Sequence, residues 1–268
     1  MSDFDYTYIS YGAGVQSTAL LIMSNLGLAD TPRADVAIFA DTQDEPAWVY
    51  ETLSILREWS KIPVEIVSAG HLLGDTVALN KGRSSQFASI PLFMRGANGQ
   101  VTIGRRQCTR EYKIAPIQAR VRRLLGYEPR QRVKEKVRAL VGISVDEAAR
   151  MKPNRERWIT NAWPLVDARL SRAACEKIAM VHLGVTPKRS SCIYCPFHSD
   201  AYWSDLKTNH PAEFESACRA DEIFRDMTTL EIDEQFVHRS LVPLRDARFG
   251  LEGQGDLFNN ECEGMCGV

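Results

Sequence analysis

No apolar run in this chain of 268 residues reaches the length that crosses a bilayer. An excess of charge is missing too: 33 Lys and Arg stand against 34 Asp and Glu, a formal net charge of −1. The first lack excludes a helical membrane span. The second removes any global electrostatic pull toward nucleic acid. Internal repeats and coiled-coil heptads are absent. The opening residues, Met1 to Asp5, carry no signal-peptide pattern, so the expected compartment is the reducing cytoplasm, with no membrane partner. The seven cysteines then read as ligands, nucleophiles or core fillers rather than disulfides. At 44% hydrophobic residues, the chain can bury a sizeable core in one large domain, or in one domain with an appendage.

Both common nucleotide fingerprints are also lacking. The segment Tyr8 to Thr18 has no Lys after its glycines, and Ser17 stands where G-x-G-x-x-G needs a third glycine. What is present is an apolar strand around Tyr6, Tyr8 and Ile9, a small-residue loop Gly12-Ala13-Gly14, and an apolar helix opened by Ser17 and Thr18. Glycines let the backbone approach closely, and the first amides of a helix together with its dipole attract an anion. The bland alternative is a tight strand-to-helix turn with no ligand.

Further strands are expected at 34–40, 64–67 and 139–143, and a helix over 45–59 with Pro46 near its start, where a missing N–H costs little. Strands alternating with helices predict an α/β fold, a parallel sheet covered on both faces, with ligands at the carboxyl ends of the strands. Residues 72–107 are rich in Gly, Ser and Arg and read as an irregular segment, either a lid or a tolerated insertion, with Phe87, Ile90, Leu92 and Phe93 packing in part. A helix is expected over 111–125, provided that Pro116 lies in its first turn.

Three places carry candidate chemistry. Asp41 and Thr42 end the second strand, where a carboxylate accepts from ribose hydroxyls or an adenine amine; the alternative is a helix N-cap. Cys108 lies among Arg105, Arg106, Arg110 and Lys113, a positive field that favours a thiolate and suits phosphate or sulfate. Cys192-Ile193-Tyr194-Cys195 has the spacing with which two thiolates grip a metal or cluster. Cys262 and Cys266 offer further ligands. The readings left open are an iron–sulfur site, a structural zinc on Cys192, Cys195, Cys262 and Cys266, and a redox dithiol. His198 reads as a supporting loop residue, and Cys175 and Cys218 as core. Arg239 and Arg245 are candidates for closing the site. The basic residues from Arg120 to Arg138 read as a solvated face or, alternatively, a nucleic-acid track.

These segments resemble, in order, the PAPS-reductase-like branch of the PP-loop (adenine nucleotide alpha hydrolase-like) superfamily. Gly12-Ala13-Gly14-Val15-Gln16-Ser17 is similar to its S-G-G-x-D-S loop, with Gly12 for the first Ser and Gln16 for the acid, as in the PAPS reductases. Asp41-Thr42 resembles the Asp-Thr after the second strand. Cys108 to Pro116 resembles the Cys-(Cys)-x-x-(Arg)-Lys-x-x-Pro block of the reductases and of DNA-phosphorothioation enzymes, with one Cys instead of a pair. Gly142 to Arg150 and Trp163 to Asp167 resemble two further blocks. Cys108, Cys192 and Cys195 together resemble the three-Cys [4Fe–4S] sites of PP-loop thiolation enzymes. Glu261-Cys262 resembles the reductases' nucleophilic tail, but Glu263 replaces its Gly.

The resemblance implies a doubly wound parallel sheet over 1–170 and a helical, cysteine-bearing extension over 171–268. It implies an ATP-using enzyme that adenylylates a substrate and delivers sulfur through a [4Fe–4S] cluster on Cys108, Cys192 and Cys195, with a nucleic acid as the acceptor. The alternatives are a PAPS or APS reductase served by a thioredoxin-like reductant, with Cys262 as nucleophile, and a zinc-stapled nucleotide-binding module without turnover. Gly12, Ala13, Gly14, Gln16, Ser17 and Thr18 would hold phosphates, with or without Mg²⁺. Asp41 and Thr42 would hold the nucleoside, and Arg110, Lys113 and Arg150 would stabilise developing phosphate charge. A sulfur donor and self-assembly are both compatible with this reading.

Overall fold

The structure, a computed structural model, describes residues 3–80, 90–96, 98–227 and 234–250. The chain opens with β1 (Tyr6–Tyr11) and α1 (Val15–Leu26), then β2 (Val36–Ala40), α2 (Ala47–Trp59), β3 (Val64–Val67) and α3 (Leu72–Asn80). A short hairpin follows, β4 (Phe93–Arg95) and β5 (Val101–Ile103). A π-helical turn, Thr109–Ile114, leads into α4 (Ala115–Leu124). Then come β6 (Val137–Val141), β7 (Ile159–Ala162), α5 (Pro164–Asp167), α6 (Arg172–Leu183), α7 (Asp200–Asn209), α8 (Pro211–Arg225) and β8 (Gln235–Phe236).

Five strands form one parallel sheet in the order β3-β2-β1-β6-β7. Every residue of β2 and all but the first of β1 are buried, as expected of central parallel strands. Alternate residues serve opposite faces. Ile9, Tyr11, Ala37 and Phe39 join α1, α2 and α6, whereas Tyr8, Val36, Ile38 and Ala139 pack on Ile117 and Val121 of α4. Helices therefore cover both faces, as in a doubly wound sheet. The largest apolar cluster runs on into Trp203, Leu206, Phe214 and Phe224, so the helices beyond residue 170 share the core of the sheet.

The expected strands appear within a few residues of their places, and Val64–Val67 coincides with its observed bounds. Pro46 stands directly before α2, and Pro116 falls in the first turn of α4, where its missing N–H breaks no hydrogen bond. The described residues of 72–107 are more regular than expected, with a helix and a hairpin that packs with β8 through Phe93, Phe236 and Leu241. Ile90, Leu92 and Phe93 are buried as expected; Phe87 lies outside the described residues. The chain starts β1 between β2 and β6, so its strand order reverses there. The crevice at the carboxyl ends of β1 and β6 is where ligands bind in open α/β sheets.

Candidate functional site

The loop Gly12 to Ser17 links β1 to α1 at that crevice. Ser17 Oγ accepts from the amides of Gly12 at 3.3 Å and Gly14 at 3.2 Å, which folds the loop around one oxygen. Ala13 sits at φ 56°, a left-handed conformation unusual for a residue with a Cβ. The β6 end comes very close: a Cβ on Gly142 would lie 2.8 Å from Ser17 N and 2.9 Å from its Cα. Thr18, expected at the phosphates, is instead fully buried with its hydroxyl 3.3 Å from that of Tyr11. The Gln16 amide oxygen lies 3.5 Å from Arg172 Nη1 on α6. Asp41 Oδ1 accepts from Gln43 N at 2.8 Å and Tyr50 Oη at 2.9 Å, a side-chain-closed turn rather than a helix cap.

The C-x-x-C segment docks on the loop after β2. Ile193 N donates to Asp44 O at 2.9 Å, Tyr194 Oη donates to Asp44 Oδ2 at 2.6 Å, and Trp48 Nε1 donates to the Arg189 carbonyl at 2.9 Å. Burial raises the Asp44 carboxyl above its ordinary range, against the hydrogen bonds of Tyr194 and Leu73 N. Cys195 N closes a turn on Cys192 O at 3.0 Å. This docking gathers Cys108, Cys192 and Cys195, far apart in sequence, around one small apolar cavity of about 30 Å³, together with Thr42 and Lys113. His198 Nε2 donates to the Cys192 carbonyl at 3.0 Å, and its ring stacks on Tyr202. Burial pushes its pKa down to about 3, so it is a neutral support, as expected of a loop residue.

Within the pocket wall, Lys113 Nζ donates to Glu45 Oε1 at 2.9 Å, and the Thr42 hydroxyl donates to the same oxygen at 3.2 Å. Thr42 Oγ1 also lies 3.4 Å from Cys192 Sγ. Thr42 thus faces the cysteine pocket. Burial, reinforced by Glu45, raises the Cys192 thiol well above its ordinary range. Glu45 Oε2 is buried without a hydrogen-bond partner. Glu45 was not among the expected site residues; its signal is an acid directly before Pro46 at a helix start.

Beside this pocket, and sharing Arg106 and Thr109 with it, runs a polar groove of about 680 Å³. Arg110 and Arg150 line it with Lys152 and Arg155, against Glu111 and Glu156. Arg150 Nη1 also holds Glu147 at 2.9 Å. The groove lies between the start of α4 and the residues after β6, so Arg110 and Arg150 share one cavity, whereas Lys113, the third cation expected to meet phosphate, lines the cysteine pocket.

Other expectations resolve differently. Arg245 is committed to Glu215 at 2.7 Å and to Glu222, which takes it away from the site. Arg239 is bound to Asp200 at 2.9 Å. Of the basic run from Arg120, Arg120 pairs with Glu65, Arg122 lies over Trp158 and Arg138 over Phe4, whereas Arg123, Arg130, Arg132, Lys134 and Lys136 are exposed. Cys175 and Cys218 are core residues, their thiols pushed up by burial to about 12 and about 11. Cys262 and Cys266 lie outside the described residues.

The three pocket thiols are a donor set of the soft kind that takes iron–sulfur clusters or zinc. Among the described residues, however, no three His, Cys, Asp or Glu side chains are grouped closely enough to hold a metal ion. Nor is any described helix long and apolar enough to cross a membrane. Comparison with family models, characterised proteins and solved structures found no match.

Proposed function

We propose that this chain is an adenine-nucleotide enzyme of sulfur chemistry, in which a bound nucleotide activates an acceptor oxygen and the cysteine pocket serves the sulfur transfer. One observation carries the reading. Cys108, Cys192 and Cys195 line a single pocket that opens beside a cationic groove at the carboxyl edge of a parallel sheet. That edge also holds a glycine loop at a helix N-terminus.

The roles follow from charge and position. The loop Gly12 to Ser17 binds phosphate through its amides. Arg110 and Arg150 stabilise the charge that develops as an acceptor oxygen attacks the α-phosphate and pyrophosphate leaves. Lys113, held by Glu45, keeps a cation at the pocket wall. When bound, a [4Fe–4S] cluster on the three cysteines would supply a sulfur-carrying centre; the spacing of the thiols calls for rearrangement before they hold it. The acceptor in this reading is a nucleic acid.

The test is direct. Protein purified without oxygen is incubated with ATP and nucleic-acid acceptors, and AMP, pyrophosphate and thiolated product are measured. Release of AMP that depends on acceptor supports the reading. No release with any acceptor overturns it, and sulfite release from PAPS with thioredoxin in its place would assign reductase chemistry.

A further inference from the structure

Ser190 is 2% exposed, yet its Oγ makes no hydrogen bond. A hydroxyl stripped of water without a partner is unfavourable, and natural structures carry few of them. Its position explains what it is for. A Cβ built on Gly14 would lie 2.7 Å from this oxygen, so Ser190 faces the loop at a point that only glycine leaves open. Gly14 caps α1, a helix of 12 residues whose first amides and dipole attract anions. The orphan hydroxyl and the helix start therefore converge.

Ser190 also sits two residues before Cys192, which lines the cysteine pocket. The segment is anchored on both sides of it, by Trp48 on the Arg189 carbonyl and by Ile193 on Asp44. A force applied at Ser190 is thus passed along a short, tethered stretch of chain to the thiol.

We propose that Ser190 donates its hydroxyl hydrogen to a phosphate oxygen held at the Gly12–Ser17 loop, and that it thereby couples phosphate occupancy to the placement of Cys192. The inference rests on the nucleotide reading above. It adds a phosphate-binding residue from the far end of the chain and a link between the two halves of the site.

Binding of ATP, and separately of inorganic pyrophosphate, to the wild type and to Ser190→Ala is measured by calorimetry, with thermal melts in the absence of either. A hydrogen bond to a charged oxygen predicts affinity weaker by roughly ten- to a hundredfold for both ligands. Because the hydroxyl has no partner, the melting temperature of Ser190→Ala without ligand is expected to stay level or rise. Alkylation of Cys192 is expected to change with ATP in the wild type and not in the variant. Wild-type binding matched within about twofold by Ser190→Ala overturns this proposal and leaves the nucleotide reading intact. A variant that melts several degrees lower without ligand assigns Ser190 to the fold and overturns it as well. A wild type that binds neither ATP nor pyrophosphate removes both readings.

Discussion

Lys113 Nζ lies 2.9 Å from Glu45 Oε1, and the carboxylate side chain is 1% exposed. The two residues come from the π-helical turn before α4 and from the loop before α2, and their contact ties the turn after Cys108 to the loop that carries Thr42. Removing one member of such a pair leaves the other charge buried and uncompensated, at about 3–5 kcal/mol. Lys113→Met is therefore expected to destabilise the protein on that scale. The double variant Lys113→Met with Glu45→Gln should recover much of the loss. Urea unfolding of the two singles and the double measures this, and additive losses would show that the pair is not coupled.

Close approach rather than charge governs Gly142. Any Cβ there meets the backbone of Ser17, which has no rotamer by which to yield. Gly142→Ala should cost about 1–3 kcal/mol by overpacking. It should also weaken ATP binding, because the relief comes from moving the phosphate loop. A variant with native melting temperature and native ATP affinity would contradict the observed packing.

His238 is buried between α7 and the turn after β8, 3.2 Å from Asp200 Oδ1 and 2.7 Å from Ser240 Oγ. Arg239 and Asp221 also face it. Burial lowers its pKa despite the pull of Asp200. The sign follows from proton binding: the unfolded chain takes up this proton first, near the ordinary histidine value of about 6.5. The contribution is present above that pH and is lost as pH falls below it. His238→Gln keeps hydrogen-bonding capacity but does not titrate. Its unfolding free energy should fall less steeply than that of the wild type between neutral pH and about 5. Parallel slopes would place the acid sensitivity elsewhere.

Much of the fold was legible in the chain. The runs at Tyr6–Tyr11, Val36–Ala40 and Val64–Val67 are short and apolar enough to read as strands, the first two central and the third at the sheet edge, and prolines punctuate α2 and α4. What escaped was short or mixed in pattern. β7 has only four residues, two of them Thr and Asn. α3 contains Gly74 and no clear stripe. In the site, Cys108, Cys192 and Cys195 were each visible from local motifs, but their meeting depends on Asp44 and Trp48 gripping the segment from 189 to 194, bonds with no local signature. The burial of Thr18 was not legible, because a hydroxyl at a helix start can face the core as easily as a ligand, and here it lies against the Tyr11 hydroxyl.

Arg110 and Arg150 share the groove but differ in support. Arg110 is 71% exposed at its side chain, whereas Arg150 is held by Glu147. If both act on transition-state charge, Arg150→Ala should reduce AMP release by roughly 10²–10³-fold, as loss of a preorganised donor does. Arg110→Ala should do less, since an exposed cation is screened and must be ordered first. Stability should change little in Arg110→Ala, whereas Arg150→Ala also leaves the largely buried Glu147 without its partner and should lower stability, so melting curves are needed to separate lost catalysis from lost fold. Equal, small effects on AMP release would move the phosphate chemistry out of the groove.

The cysteines sort by position into those that should matter for metal and those that should not. Cys192 and Cys195 line the pocket with Cys108, while Cys175 and Cys218 are enclosed in the core. Anaerobic purification followed by iron, sulfide and zinc analysis is expected to find iron with acid-labile sulfide. Cys108→Ala, Cys192→Ala and Cys195→Ala should each strip most of it, and Cys175→Ala and Cys218→Ala should leave it in place. The pair Cys262→Ala and Cys266→Ala separates the two metal readings. A three-thiol cluster survives their loss, whereas a zinc held by Cys192, Cys195, Cys262 and Cys266 does not. Zinc in place of iron, lost with Cys262 and Cys266 but kept in Cys108→Ala, would make the C-x-x-C a structural staple and leave Cys108 as a lone thiol beside the groove.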